Sequence, residues 1–358
     1  VVVLGGNKIL LVAPTCVILN TSMKISTRNE YDRLKSVILG RPHGANWPTG
    51  DIFFDRLADL NTHPGKISKG PISGSVIKEA NDDLLRMKDL LEDNDVKVFR
   101  PEILDYKRTV THYEHMTSGM HSYSPRDLIL TVGNMAIECP TPFVSRYREF
   151  DAYDVIKQEA MRDGCRWIAA PRARMEPAEC VMGLNKIKLT ERYPIFDAAN
   201  VLKFNDKLLY MKTSTSNYIG AKWLQKVVGN EFEVIVWDKV YTHSHIDSTL
   251  TSLKKDLVMI NASRVQNTNQ LPDFLKSYRK IWLHDMADGS FSQFPYASKW
   301  IGMNILSIDE ETVMIDPVQK DLVKQLRAEG FNCIEVPLTQ SRTLGGGPHC
   351  VTCDLERA

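Results

Sequence analysis

Cys350, His245, Asp127, Asp197 and Asp247 are the side chains whose types and placement here could do covalent chemistry. Each falls at the same point of a repeating pattern, at or just before an apolar alternation that reads as the first strand of a hairpin. Asp127 closes Pro125-Arg126-Asp127, Asp197 sits in Phe196-Asp197-Ala198-Ala199-Asn200, and His245-Ile246-Asp247-Ser248-Thr249 opens a further copy. Ala297-Ser298-Lys299-Trp300 precedes another, and His349-Cys350 begins a strand able to return to the first unit. In a ring of equivalent units, equivalent positions face one common end, so these residues converge. Cysteine attacks well only as thiolate, and its ordinary pKa of about 8.5 must be lowered by a nearby cation. His245 supplies an acid and a base near neutral pH, and Asp197 can hold its imidazole. Asp127 and Asp247 are then spare carboxylates beside a thiol. That setting suits a planar guanidinium with its fork of N–H donors, and such a cation would itself help to ionise Cys350.

Taken one at a time, the same residues have plainer readings. Asp127 after Pro-Arg is a turn cap. Asp197 and Asp247 are hairpin-entry residues, and His245 is a satisfied polar side chain. Cys350 is a small buried residue after the tight turn Gly345-Gly346-Gly347. Their shared position in successive units favours the common site. Cys350 and Cys353 also spell Cys-x-x-Cys, but without a second pair or a thioredoxin-like setting this is a poor zinc or redox motif. The glycine run lacks the strand-to-helix context of a phosphate loop. No metal or cofactor is expected.

The elements that must position these residues form a unit of two strands, a helix and a third strand. Thr249–Asn261 and Asn304–Asp316 are apolar alternations broken by a charged turn, which reads as a hairpin. Arg126–Glu138 and Asn200–Tyr210 have the same shape, turning at Gly133-Asn134 and Asn205-Asp206. Helix-period residues follow each hairpin: Ala152–Asp163, Tyr218–Val228, Leu271–Ser277 and Lys320–Glu329. The first unit is longer, with Ser36–Leu39, a helix near Ser75–Leu91 whose apolar face carries Ile77, Ala80, Leu84 and Leu91, then Val96–Phe99. Five ββαβ units predict radial repetition or an array rather than two independent domains. The Pro/Gly-bearing insertions Trp47–Gly74 and Arg172–Tyr193 are expected to be functional loops.

Composition narrows the class further. With 358 residues, 43% hydrophobic and 25% charged, the chain is ordinary for a globular protein. A net charge of +1 gives no reason to expect nucleic acid or an anionic membrane as partner. Seven scattered cysteines make no disulfide framework and suit a reducing, cytoplasmic setting. Residues 1–22 are apolar but interrupted by Pro14, too short to span a membrane. They read as an N-terminal extension before Met23, with residues 23–358 as a single domain.

Several of these stretches together resemble the amidinotransferase family, which includes the arginine:glycine and inosamine-phosphate amidinotransferases. They are Asn29-Glu30-Tyr31-Asp32 with Val37-Ile38-Leu39-Gly40, Pro125-Arg126-Asp127 with Gly133-Asn134, Phe196-Asp197-Ala198-Ala199, His245-Ile246-Asp247 and Gly345–Asp354. The resemblance implies a five-bladed, pseudo-symmetric α/β propeller of ββαβ modules. It also implies transfer of the amidino group of L-arginine to an amine acceptor through a covalent amidino-cysteine, with release of L-ornithine. By position Cys350 would be the nucleophile, His245 the acid/base and Asp197 its partner. Asp127 and Asp247 would hold the donor guanidinium, Arg264 a substrate carboxylate, and Ser298 would contact substrate. The implied partners are small molecules, and a homodimer is a compatible assembly. Departures from the family pattern fall at Asn200, Met135, Thr242, Ser244 and Ala297. The last three bear on the acceptor more than on the chemistry. An arginine deiminase-like guanidine hydrolase, sharing fold and Cys-His-acid set, is the alternative.

Overall fold

Apolar alternation broken by a two-residue polar turn folds here as the hairpins expected of it. A computed structural model describes residues 22–60, 69–289 and 296–358. The expectation for residues 1–22 therefore lies outside the described residues, Ser22 excepted. Ile129–Val132 pairs antiparallel with Met135–Glu138 across Gly133-Asn134. Val201–Phe204 pairs in the same way with Lys207–Met211. The Asn205 turn between them has a positive φ of 59°, a conformation that asparagine tolerates better than most side chains.

Each hairpin gains a third strand running parallel to its second: Arg166–Ala169, Glu233–Trp237, Arg279–Leu283 and Asn332–Glu335. The hairpins Leu250–Lys254 with Leu257–Asn261 and Leu306–Ser307 with Thr312–Ile315 complete four such sheets. The remaining sheet is assembled from distant parts of the chain. Leu34–Leu39 lies between Thr352–Arg357, antiparallel, and Lys97–Phe99, parallel. Three two-stranded ribbons accompany these five sheets, and among the described residues no sheet closes on itself as a barrel. The fold is mixed α/β. No helix among the described residues is long and apolar enough to cross a membrane.

A parallel strand needs a crossover, and helices supply most of them. Gly74–Glu92 starts at Ser73, whose hydroxyl accepts from Val76 N at 3.4 Å, one of the helix-start donors that otherwise lack a partner. It buries Val76, Ala80, Leu84, Met87 and Leu91, at about 1.5–3 kcal/mol for each large side chain fully buried. Val76 rather than Ile77 lies on that face, a rotation of one residue from expectation. Asp154–Arg162, Tyr218–Val228 and Lys320–Ala328 serve the second, third and fifth sheets. The fourth departs from the pattern. Leu271–Ser277 holds only the 3₁₀ turn Asp273–Leu275, because a seven-residue stretch containing Pro272 is too short to repay helix nucleation. The two insertions carry structure of their own, the helix Ile52–Leu60 and the ribbon Cys180–Met182 with Ile187–Leu189.

Between the sheets lies a buried charged cluster rather than hydrocarbon alone. Glu30, from Asn29-Glu30-Tyr31-Asp32, accepts from Arg126 and Lys203, each at 3.2 Å. Arg126 also meets Asp354 at 2.5 Å, and Asp354 meets Arg357 at 2.7 Å. All five side chains are buried. This cluster is what ties the first sheet to the cysteine-bearing turn.

Candidate active site

The turn before Cys350 is set by close backbone approach. The short helix Ser341–Leu344 ends at Gly345, and at Gly347 a Cβ would lie 2.9 Å from the Asn304 side chain. Only glycine fits there. Arg126 Nε then donates to the carbonyls of His349 and Thr352, at 2.8 and 2.9 Å, gripping the chain on both sides of Cys350. Asn304 Oδ1 accepts from Cys350 N at 2.8 Å. Replacing Arg126 with alanine is expected to cost about 3–5 kcal/mol of stability, because Glu30 and Asp354 lose a buried partner. The urea midpoint of the variant measures this, and an unshifted midpoint would contradict it.

His245 sits at a positive φ of 60°, a strained setting for a residue of this size that clusters at functional sites. Its Nε2 lies 3.0 Å from Asp197 Oδ2, and its Nδ1 3.7 Å from Asp127 Oδ1. Asp197 is fully buried behind the ring. Asp127 Oδ2 accepts from Arg146 Nη1 at 2.7 Å, while Asp127 Oδ1 is buried without any hydrogen-bond partner. Asp247 makes its contacts through Oδ2: Asn304 Nδ2 at 2.7 Å, Cys350 Sγ at 3.1 Å and His349 Nδ1 at 3.5 Å. Among the described residues, Asp127 Oδ1 and Asp247 Oδ1 thus each lack a hydrogen-bond partner. Asp127, Asp247, His245 and Cys350 line one cavity of about 130 Å³.

The charges of this site follow from burial and neighbours. Burial pushes the Cys350 thiol well above its ordinary value, and the Asp247 and Asp127 carboxylates push the same way. Cys350 is therefore a thiol here, and its S–H donates to Asp247. Burial works against the Asp247 charge, but the His349 hydrogen bond and charge, with His245 and Cys350, hold it at about 2. Burial also opposes protonation of His245. The Asp127 and Asp197 carboxylates outweigh that and lift it to about 9, so the resting imidazole is charged at neutral pH. Burial raises Asp127, partly offset by His245 and Arg146. Arg146 forks onto both oxygens of Glu149 at 2.9 Å. Burial draws Glu149 up to about 7 against the pull of Arg146, yet two equal bonds are the geometry of a carboxylate.

The structure brings Cys350, His245, Asp197, Asp127 and Asp247 together. Ser298 lies exposed on the cavity rim beside Ala297. Arg264 stands one layer back. Its guanidinium stacks 3.4 Å from the Tyr241 ring centre, and Nη1 donates to Ser248 O, Ser248 Oγ and Thr249 Oγ1 at 2.7–2.8 Å. Tyr241 and Ser248 line the cavity; Arg264 does not. Sequence reasoning missed Asn304, which holds both the Cys350 nitrogen and its sulfur, the latter at 3.2 Å. Its position at the mouth of the fifth hairpin was the available signal. It also missed Arg146, His349 and His121. The last is buried in the cavity wall with both ring nitrogens unpartnered, and burial holds it neutral, at about 3.

No family model matches the chain. It is 37% identical to inosamine-phosphate amidinotransferase 1 of Streptomyces griseus over 337 residues, covering 93% of this chain and 97% of that protein. The mitochondrial glycine amidinotransferase of Xenopus tropicalis is 28% identical, with 93% of this chain and 83% of that protein covered. Among solved structures, the inosamine-phosphate amidinotransferase of S. griseus superposes with a TM-score of 0.88 at 37% identity, over 94% of this chain and 97% of that one.

Proposed function

Because this chain belongs to the amidinotransferase family, we propose that it moves the amidino group of L-arginine to an amine acceptor through Cys350, releasing L-ornithine. The observation that carries this reading is a thiol between two buried carboxylates, each with one oxygen left over, beside a charged histidine. In this reading the five three-stranded sheets are the blades of one α/β propeller formed by residues 23–358, and the cavity lies at one end of it.

The donor guanidinium enters between Asp127 and Asp247 and gives each an N–H. Its positive charge favours the thiolate, so Cys350 releases its proton to water as arginine binds. The sulfur attacks the central guanidinium carbon and forms a C–S bond. When the tetrahedral adduct collapses, the bond from that carbon to the δ-nitrogen of the ornithine portion breaks. The His245 imidazolium gives its proton to that nitrogen, and Asp197 keeps the ring oriented. Amidino-Cys350 remains, with His245 now neutral. A neutral amine then attacks the same carbon, His245 takes its proton, and the C–S bond breaks to return the thiolate. One nucleophile serving two half-reactions requires ping-pong kinetics.

The test supplies arginine with and without a panel of amines, glycine, lysine and amino-cyclitols among them. Ornithine release beyond one equivalent per chain that depends on the amine, with a guanidino product of matching mass, supports transfer. Citrulline formed without an amine would instead make the protein a guanidine hydrolase.

Among the described residues Arg264 Nε and Nη2 meet no hydrogen-bond partner, and in this reading they take the α-carboxylate of the donor. A charge-assisted contact of this kind is worth about 1.5–3 kcal/mol. Arg264→Ala should therefore raise KM for arginine by about 10- to 100-fold with a smaller change in kcat, since 1.4 kcal/mol is a factor of ten. The wild type should also discriminate against agmatine, which lacks the carboxylate. Equal use of arginine and agmatine would remove Arg264 from this role.

A further inference from the structure

Buried arginines elsewhere in this protein are fully engaged: Arg126, Arg146 and Arg357 each meet carboxylates. Arg41 and Arg100, which are half-buried, are not. Their strands, Leu34–Leu39 and Lys97–Phe99, run parallel with Ile38 opposite Phe99, so both arginines emerge from neighbouring strand ends on one side of the fold. The backbone that carries Arg41 and His43 is held firmly. Arg41 N donates to Ser122 O at 2.8 Å, and at Gly44, with φ of +72°, a Cβ would stand 2.2 Å from Leu104 O.

Arg41 Nε, Arg100 Nε and Nη2, and His43 Nδ1 are all shut away from solvent with no hydrogen-bond partner. No acidic side chain among the described residues pairs with Arg41 or Arg100. The charges that act on these groups are one another's. Burial and then Arg41 draw Arg100 down to about 10, while burial, Arg41 and Arg100 lower His43. Unpaired buried donors and mutually repelling cations are costly, and a fixed loop cannot relax to relieve them. Two guanidinium forks with an imidazole match a phosphate monoester in charge and in acceptor number better than a carboxylate.

We propose that Arg41, His43 and Arg100 form a binding site for a phosphate group, distinct from the residues that surround Cys350. The phosphate has two chemical sources: one carried by the acceptor amine, or free phosphate acting from outside the reaction. Ser122 directly follows Met120 and His121, which line the cavity, so the Arg41 loop is bonded to the segment that forms one cavity wall. An acceptor held by its amine near Cys350 has this segment within its surroundings. Only the acceptor source rests on the transferase reading; the anion site does not.

The experiment uses the full chain and the variant Arg41→Gln/Arg100→Gln. First, thermal unfolding is followed in inorganic phosphate and in chloride of equal ionic strength. Wild type should gain about 2 °C in Tm for each tenfold rise in phosphate above its Kd, and the variant should gain none. The variant should also be the more stable protein when phosphate is absent, which separates loss of a site from loss of the fold. Second, KM is measured for a phosphorylated amino-cyclitol and for its dephosphorylated form. A rise of tenfold or more in the variant, confined to the phosphorylated amine, assigns the site to the acceptor. Phosphate-dependent Tm without any KM change assigns it to free phosphate. No phosphate-specific shift in wild type, or the same shift in the variant, overturns the site whether or not the protein transfers amidino groups.

Discussion

Cys350→Ala will abolish amidino transfer and with it the covalent intermediate. Incubated with arginine and no acceptor, wild type should carry one amidino group on Cys350, seen by mass spectrometry of the intact chain and its peptides. The alanine variant should carry none, and its turnover should fall by about 10⁴-fold or more, the scale on which loss of a covalent nucleophile acts. Cys353→Ala is the control. Its sulfur is buried against Ile129 O at 3.3 Å, and burial pushes its thiol up to about 12, so its removal should leave adduct and turnover in place. Ornithine release by Cys350→Ala at an undiminished rate would end the covalent mechanism.

His245→Asn should lower kcat by about 10²–10⁴-fold, the usual contribution of a positioned acid or base. Asparagine is the informative replacement because it tolerates the positive φ at this position, so the backbone is kept while the acid is lost. A second signature comes from pH. His245 is raised from an ordinary value of about 6.5 to about 9 in the folded protein. A raised histidine contributes stability that is fully present below about pH 6.5 and is lost as pH climbs through about 9. The shift corresponds to roughly 3 kcal/mol at 1.36 kcal/mol per pH unit. Wild-type unfolding free energy should therefore fall between pH 6.5 and 9 by an amount that His245→Asn lacks. Parallel pH profiles for the two proteins would show that His245 is not held charged by Asp127 and Asp197.

Local pattern carried the sheets and the placing of the five chemical residues. Strand alternation and polar turns are properties of a few consecutive residues, so Ile129–Glu138 and Val201–Met211 were legible. The common position of Asp127, Asp197, Asp247 and Cys350 was legible because repetition turns sequence position into spatial position. Long-range pairing was not. Arg146 matters because it meets Asp127 across nineteen positions, within a 3₁₀ segment whose sequence announces no role. Asn304 is a short polar residue at a hairpin mouth, which a turn explains equally well. What marks it is two bonds to Cys350, forty-six positions away. The fourth crossover failed as a helix because periodicity cannot tell a short amphipathic helix from a turn-rich strip of equal length.

Thr352–Arg357 completes the sheet whose middle strand is Leu34–Leu39, and this couples reactivity to the order of synthesis. A ribosome releases the Leu34–Leu39 strand early and its antiparallel neighbour after every other unit. Until then that strand has an open edge, and closing it joins remote segments, the kind of contact that makes folding slow. The thiol emerges with the closing strand. On the proposed mechanism, a nascent or prematurely terminated chain thus holds His245, Asp127 and Asp247 but not Cys350, and it cannot trap arginine as a dead-end adduct.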